Sequence, residues 1–197
     1  MKNFLNIKFV IIILFTLKLT SCKAQTMPLN ASEYDAPTNT YFKDLNNELD
    51  PYVGTWKATF QGKTITLVVT KELKRPYAIL GKNFLKDIII IRYEVKDSNA
   101  NILQTTLPEA YLAGDRVRNL IMSLGTNLNS NNELNLVYAG GNCSVGLGEI
   151  IIKMINSTQF SWNYSPGTTV RNDIDCPPNQ DYNIYLPETE NLVFTKQ

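Results

Sequence analysis

Hydrophobic and polar residues alternate with a period of two along most of the chain after residue 54. This spacing predicts strands with one buried and one solvated face, because successive side chains of a strand point to opposite sides. The predicted strands are residues 55–60, 65–69, 87–95, 102–106, 118–124, 134–138, 149–155, 159–164 and 192–196. Because short loops join them, the pattern predicts an all-β antiparallel meander of about 8–10 strands that closes into a barrel or a sandwich.

The same period selects the residues expected in the core. The strand at 87–95 is the most apolar, and its first half is expected to be covered on both faces. The predicted core consists of Trp56, Phe60, Ile65, Leu67, Val69, Ile89, Ile91, Tyr93, Leu134, Leu136, Phe160, Trp162 and Phe194.

One short helix is predicted before the first strand. Tyr41, Leu45, Leu49 and Tyr52 recur at helical spacing, and Pro51 is expected to end the helix near residue 53. An amphipathic helix over residues 41–53 therefore leads into the β-domain.

The first residues of the chain have the pattern of a secretory signal. Lys2 and Lys8 precede an apolar run at 9–17. The sequence Leu-Thr-Ser-Cys then follows and ends at Cys22. The run is about nine residues, shorter than the roughly 18–20 that a membrane-spanning helix requires. The pattern predicts a lipoprotein signal peptide at 1–21, lipidation of Cys22, a polar tether at 22–40 and one domain at 41–197. An ordinary cleaved signal is the alternative.

Composition limits the chemistry that the protein can perform. The chain contains no histidine, which excludes Ser-His-Asp and Cys-His catalysis and zinc sites that need histidine ligands. After removal of residues 1–21 the net charge is about minus two, which argues against a nucleic-acid partner. No cofactor is expected.

Two cysteines remain once Cys22 carries lipid. Cys143 and Cys176 form an even pair in an exported chain, where disulfides persist. We expect them to be bonded to each other, with two buried free thiols as the alternative.

Acidic residues near Cys176 are the candidates for a metal site. Asp173, Asp175 and Asp181 supply oxygen ligands that suit calcium, although a solvated loop is the alternative reading. Asp173 and Asp175 are also a candidate carboxylate pair for a histidine-free hydrolase, which would need a partner group across a cleft.

The sequence Gly54-x-Trp56 follows the predicted helix and opens the first strand. This start resembles that of lipocalins and related calycin barrels, although no clear arginine on the last strand is available to stack on Trp56. The resemblance implies a barrel, with Trp56, Tyr93 and Trp162 as candidate contacts to an apolar small molecule. Trp56 as a core residue of another small β-domain is the alternative.

Further short motifs resemble a family of uncharacterised lipoproteins from flavobacteria and other Bacteroidetes. They are the start at 22–25, the segment 52–56 and the endings at 185–187 and 192–194. The resemblance implies an envelope location and no known activity. Surface-exported lipoproteins of these bacteria tend to carry acidic residues just after the cysteine, and residues 23–26 have none. The resemblance therefore implies an outer-membrane anchor that faces the periplasm.

These observations leave two classes of function. The first is a lipid-anchored, non-catalytic envelope protein that binds an apolar small molecule or another envelope protein. The second is the histidine-free hydrolase. An apolar pocket with few charges favours the first, and a cleft with a carboxylate pair and a raised pKa favours the second.

Overall fold

The computed structural model of the protein describes residues 25–112, 117–126, 133–169, 174 and 176–197. Its strands are β1 Thr26–Pro28, β2 Tyr41–Lys43, β3 Gly54–Phe60, β4 Lys63–Ile79, β5 Lys82–Lys96, β6 Ile102–Thr105, β7 Ile121–Thr126, β8 Glu133–Tyr138, β9 Gly148–Asn156, β10 Gln159–Pro166 and β11 Thr189–Lys196. Two 3-10 turns accompany them, at Asp50–Tyr52 and Asn142–Ser144. Within these ranges no helix has the length and hydrophobicity needed to cross a membrane.

A closed antiparallel barrel forms the body of the protein. Its strands follow the order β5-β4-β3-β11-β10-β9-β8-β7, and β7 pairs back onto β5 through Ile90 with Met122 and Ile91 with Ile121. Closure leaves these strands with a partner on each side where they pair, so few backbone groups remain unpaired at edges. The prediction of an all-β barrel is confirmed, and the barrel is compatible with a lipocalin-like architecture.

Side chains fill the barrel interior. The predicted core residues all belong to one hydrophobic cluster, and only Phe60 among them is partly buried. The ring of Trp56 packs at a tilt against Phe160, with centroids 4.6 Å apart, and Phe160 stacks on Phe194 at 5.3 Å. Ile88 and Ile90 point outward from β5 and are covered by Tyr111 and Leu120, so the predicted burial of both faces of this strand is confirmed.

Trp56, near the start of β3, is held by two contacts. Its indole Nε1 donates to the Tyr52 backbone oxygen at 2.7 Å, and Lys196 of β11 lies with its Nζ 5.0 Å from the ring centroid. The lysine therefore occupies the last-strand position at which the sequence offers no arginine, and a cation–π contact is retained.

The helix predicted at 41–53 is wrong. Tyr41–Lys43 is strand β2, and only Asp50–Tyr52 makes a single 3-10 turn. Between them the Asp44 carboxylate accepts from the backbone N–H groups of Glu48 at 2.7 Å and Leu49 at 3.1 Å, and Asn47 has a φ of 55°. Local side-chain bonds of this kind compete with helical hydrogen bonds, which ends any regular helix here.

Residues 25–40, predicted as part of a tether, pack against the folded domain. Strand β1 pairs in parallel with β2, and Leu29, Ala36 and Thr40 are buried. Apolar contacts at Leu29 and Ala36 hold the segment in place, so residues 25–40 are part of the folded structure.

Strands β4 and β5 extend well past the barrel. Strand β3 pairs with β4 only as far as Val69, whereas β4 and β5 stay paired as a hairpin up to Ile79 and Lys82. Strand β2 adds to β5 in parallel at Leu85 and Lys86, and β1 follows β2. We call the assembly of β1, β2, residues 72–79 and residues 82–87 the outer sheet.

Candidate functional site

A polar cleft of about 330 Å³ lies at the barrel end opposite the outer sheet. At this end β5 finishes, β7 begins and the β8–β9 connection crosses the rim. The cleft is lined by Gln104, Glu109, Val117, Arg118, Asn119, Gly141, Asn142, Asp181 and Asn183.

The walls of the cleft come from distant parts of the chain and are tied together. Asn142 donates from Nδ2 to the Asp181 backbone oxygen at 2.8 Å, and its Oδ1 accepts from the Arg118 guanidinium. Beside Asn142, Cys143 is paired with Cys176 at disulfide-bonding distance, with Cα atoms 5.9 Å apart. The predicted cysteine pair therefore joins the β8–β9 connection to the segment before β11.

Buried tyrosines of the barrel support the floor of the cleft. The Tyr93 hydroxyl donates to Gln104 Oε1 at 2.7 Å, and the Tyr138 hydroxyl donates to Asn119 Oδ1 at 2.9 Å. Gln104 Nε2 also donates to Asn119 Oδ1, at 3.4 Å. Since the Asn119 oxygen is occupied from below, its amide nitrogen is the group that the side chain offers to the cleft.

The loop geometry around Asn119 fixes its position. Asn119 has a φ of 62°, a left-handed conformation that asparagine tolerates better than most residues. Its backbone N–H donates to the Gly140 oxygen at 2.8 Å, and Gly140 itself has a φ of 79°. A Cβ at Gly140 would lie 2.5 Å from the Ser144 carbonyl carbon, so this turn requires glycine.

The shifted pKa values at the cleft all move away from neutrality. Burial raises the pKa of Tyr93 and of Tyr138 above the ordinary value near 10. The Asn183 backbone N–H and the Tyr185 hydroxyl donate to Asp181 and lower the pKa of its carboxyl. At pH 7 the two tyrosines are therefore neutral and Asp181 is ionised.

A second cleft of about 470 Å³ continues from the first and shares Val117, Arg118 and Gly141 with it. Its lining adds Leu120 and Ala139, and is therefore less polar. Arg118 lines both the polar cleft and the more apolar one. Two adjoining clefts of this kind can bind a ligand that has both polar and apolar surfaces.

The aromatic residues predicted to contact a ligand lie inside the packed barrel. Trp56, Tyr93 and Trp162 are each fully buried. Trp162 donates from Nε1 to the Pro187 oxygen at 3.0 Å and packs against Phe194 at a centroid distance of 5.6 Å. These contacts give the rings a structural role, and neither of the two clefts is lined by them.

Of the three predicted calcium ligands, Asp181 lies among the described residues. Asp173 and Asp175 lie outside the described residues, as does the lipidation candidate Cys22. Asp181 lies in the polar cleft. Among the described residues, no three Cys, Asp or Glu side chains converge as a metal site would require.

Sequence reasoning missed most of the cleft. The alternating pattern predicts a strand that starts at Arg118, and it indicates no functional role for Asn119 or Asn142. The available signal was a cluster of amide and glycine residues around 140–142, which by itself is also typical of any turn.

Comparison with known proteins gives a family and no function. No curated protein and no solved structure matches the chain. A family profile matches residues 1–197 in full, and on this basis the chain belongs to DUF6705, a family of unknown function.

Proposed function

We propose that the protein is a lipid-anchored envelope protein whose barrel is a non-catalytic binding domain, with the polar cleft as its binding site. The observation that carries this proposal is the support of the cleft from below: buried tyrosines orient Gln104 and Asn119 toward it. A binding site gains affinity when its polar groups are held in place before the ligand arrives.

The lining favours a small polar ligand with several hydrogen-bonding groups, such as a sugar unit or a short peptide. Amide side chains at Asn119, Asn142 and Asn183 accompany the charged groups of Arg118 and Asp181. Amides both donate and accept, and therefore suit hydroxyl and peptide groups. An apolar ligand inside the barrel stays a prediction, and the packing of Trp56, Tyr93 and Trp162 does not favour it.

Binding without catalysis fits the protonation states. General acid–base catalysis works best with a group whose pKa is near the working pH. Tyr93 and Tyr138 are held neutral and Asp181 ionised, and the chain has no histidine. The hydrolase alternative depends on Asp173 and Asp175, and no observation on the described residues favours it.

Ligand-detected NMR on the mature domain, with a panel of neutral sugars and short peptides, tests the binding role. We expect one class to bind, and Arg118→Ala to weaken it by about tenfold or more, since a hydrogen bond to a charged group contributes roughly 1.5–3 kcal/mol. Arg75→Ala, in the outer sheet, is the matched control and should leave binding unchanged. Absence of binding across the panel, or equal binding by Arg118→Ala, contradicts the proposal.

The lipid anchor at Cys22, the flavobacterial resemblance and the periplasm-facing location rest on the sequence. Labelled palmitate should enter the wild-type protein and not Cys22→Ser. Incorporation into that variant contradicts the anchor while leaving the binding role open.

A further inference from the structure

The tip of the β4–β5 hairpin has an unusual residue in its turn. Leu80 and Gly81 have φ values of 54° and 71°, so both central residues of this two-residue turn lie in the left-handed region. Hairpin turns of this kind favour Asn-Gly or Asp-Gly, because asparagine and aspartate tolerate a positive φ. A leucine adopts it only with strain, so turn chemistry does not explain the residue.

Packing does not explain it either. Leu80 is 59% exposed, and its neighbour Ile79 is also exposed. Tyr34 is 76% exposed and belongs to a segment that is held against this end of the hairpin, because Lys82 donates from Nζ to the backbone oxygens of Tyr34 and Ala36, at 2.8 Å each. The end of the outer sheet therefore presents a tyrosine and two aliphatic side chains to the surroundings.

The register of the outer sheet brings the start of the chain toward this tip. Thr26 of β1 pairs with Tyr41 of β2, which pairs with Leu85 of β5, and all three strands run in parallel. Strand β5 starts at the tip and runs away from it, and β1 runs in the same direction. A chain that continues straight backward from Thr26 therefore moves toward the tip. Leu85 is about 13 Å from the tip along the strand, at roughly 3.3 Å per residue.

The predicted lipid attachment point, Cys22, is close enough along the chain to reach the level of the hairpin tip. Cys22 precedes Gln25 by three residues, which span at most about 11 Å when extended. A lipid on Cys22 would bring the bilayer close to the hairpin tip, and such tethering gives even a weak second contact a high effective concentration.

We infer that the hairpin tip formed by Tyr34, Ile79 and Leu80 is a second membrane contact, which rests in the bilayer surface beside the lipidated end of the chain. This inference depends on the lipid anchor proposed above. Tyrosine suits the interface because its ring is apolar and its hydroxyl remains hydrated. The polar cleft lies at the other end of the barrel and accordingly faces away from the membrane.

The chain offers a matched control for testing this contact. Gln61 and Gly62 form the turn at the other end of β4, with φ values of 48° and 75°, and both turn residues are exposed. The two turns thus share a backbone geometry and are separated by the length of β4, about 55 Å at the usual rise per residue.

The experiment uses the full chain, lipidated in cells, purified from membranes and reconstituted into vesicles of phosphatidylethanolamine and phosphatidylglycerol. An environment-sensitive fluorophore is attached to Leu80→Cys or to Gln61→Cys. We expect a blue-shifted emission, several-fold brighter and quenched by brominated lipid, for Leu80→Cys only.

The outcomes separate the contact from the anchor. If the protein floats with the vesicles but the label at position 80 reports water, the tip contact is overturned and the anchor stands. The tip contact is equally overturned if both labels are buried, or if the label at 80 is buried in cell envelopes but not in vesicles, which indicates a protein partner. If the protein does not float, the anchor fails and the tip contact fails with it.

A second variant keeps the test independent of folding. Leu80→Asn introduces the residue that the turn prefers, so the melting temperature should stay the same or rise, while a label at Ile79→Cys should lose its blue shift. A lower melting temperature would show that Leu80 serves the fold, and would overturn the inference.

Discussion

The barrel and the outer sheet differ in the charged groups that they bury. Aromatic and aliphatic side chains fill the barrel, as in the packing of Trp56 against Phe160 and of Phe160 against Phe194. The outer sheet buries apolar side chains as well, and with them the charged groups of Lys86 and Asp87. The outer sheet also has apolar contacts, such as that between Phe42 and Phe84 with ring centroids 5.3 Å apart, so the difference lies in the buried charged groups that it adds.

The buried charges of the outer sheet are all paired. Lys86 contacts Glu33 at 2.6 Å and donates to the Leu124 oxygen at 2.5 Å. Asp87 accepts from the Tyr41 hydroxyl at 2.7 Å and from the backbone N–H groups of Asp44 and Lys74 at 3.0 Å each. Burial of a charge costs free energy unless partners compensate for the lost water. Such a network holds the outer sheet in one geometry, and its loss should destabilise the outer sheet and leave the barrel folded.

The largest expected effect is in the barrel. Trp56→Ala should lower the free energy of unfolding by about 3–5 kcal/mol, because it removes a fully buried ring and leaves a cavity. Chemical denaturation measures the loss. Tyr34→Ala removes an exposed ring and is the control, with little change expected. A small loss for Trp56→Ala would mean that the barrel interior tolerates a cavity, contrary to its close packing.

An intermediate effect is expected in the outer sheet. Asp87→Ala leaves three donors without their acceptor and should cost about 2–3 kcal/mol. Hydrogen exchange should accelerate in β2 and at 82–87 while β9 and β10 stay protected. Asp97→Ala is the control, because Asp97 also accepts three hydrogen bonds, but in an exposed turn. Uniform loss of protection would contradict the separation of the two regions.

The smallest effect appears in alkali. Burial raises the pKa of Tyr93 above 10, so its contribution to stability is complete below pH 10 and is lost as the pH rises further, by roughly 1.4 kcal/mol per pH unit. Unfolding measured between pH 8 and pH 11 should show this slope, and Tyr93→Phe should reduce it. In the outer sheet, burial and hydrogen bonding to Asp87 raise the pKa of Tyr41 to about 12. Absorbance titration should therefore find that Tyr41 ionises well above pH 10.

Much of the barrel was predictable because each strand repeats the same local rule. Residues such as Leu134, Leu136 and Trp162 alternate with polar neighbours, and all three are buried as predicted. The prediction of a helix at 41–53 was wrong because it considered only the spacing of apolar residues. It did not consider Asp44, whose carboxylate accepts hydrogen bonds from the backbone N–H groups of Glu48 and Leu49. Asp44 also meets Lys71 at 2.7 Å, a contact between distant residues.

The cleft shows the same limit. Arg118 and Asn142 are 24 residues apart, and Asn142 and Asp181 are 39 apart. Each of these residues is an ordinary loop residue in the sequence, and only closure of the barrel brings them to one rim. Cys143 and Cys176 were the exception, since they are the two cysteines that remain once Cys22 is set aside as the predicted lipid attachment point.

By itself, the sequence determined the all-β class, the alternating core and the absence of histidine chemistry, because these depend on residue type and on the period of neighbouring positions. The tertiary structure decided where β5 finds its three other partners, β2, β6 and β7, how the hairpin extends past the barrel, and which loops meet at the cleft. Those features depend on contacts between residues far apart in the chain, and no local pattern records which distant partner will satisfy a buried charge or an unpaired strand edge.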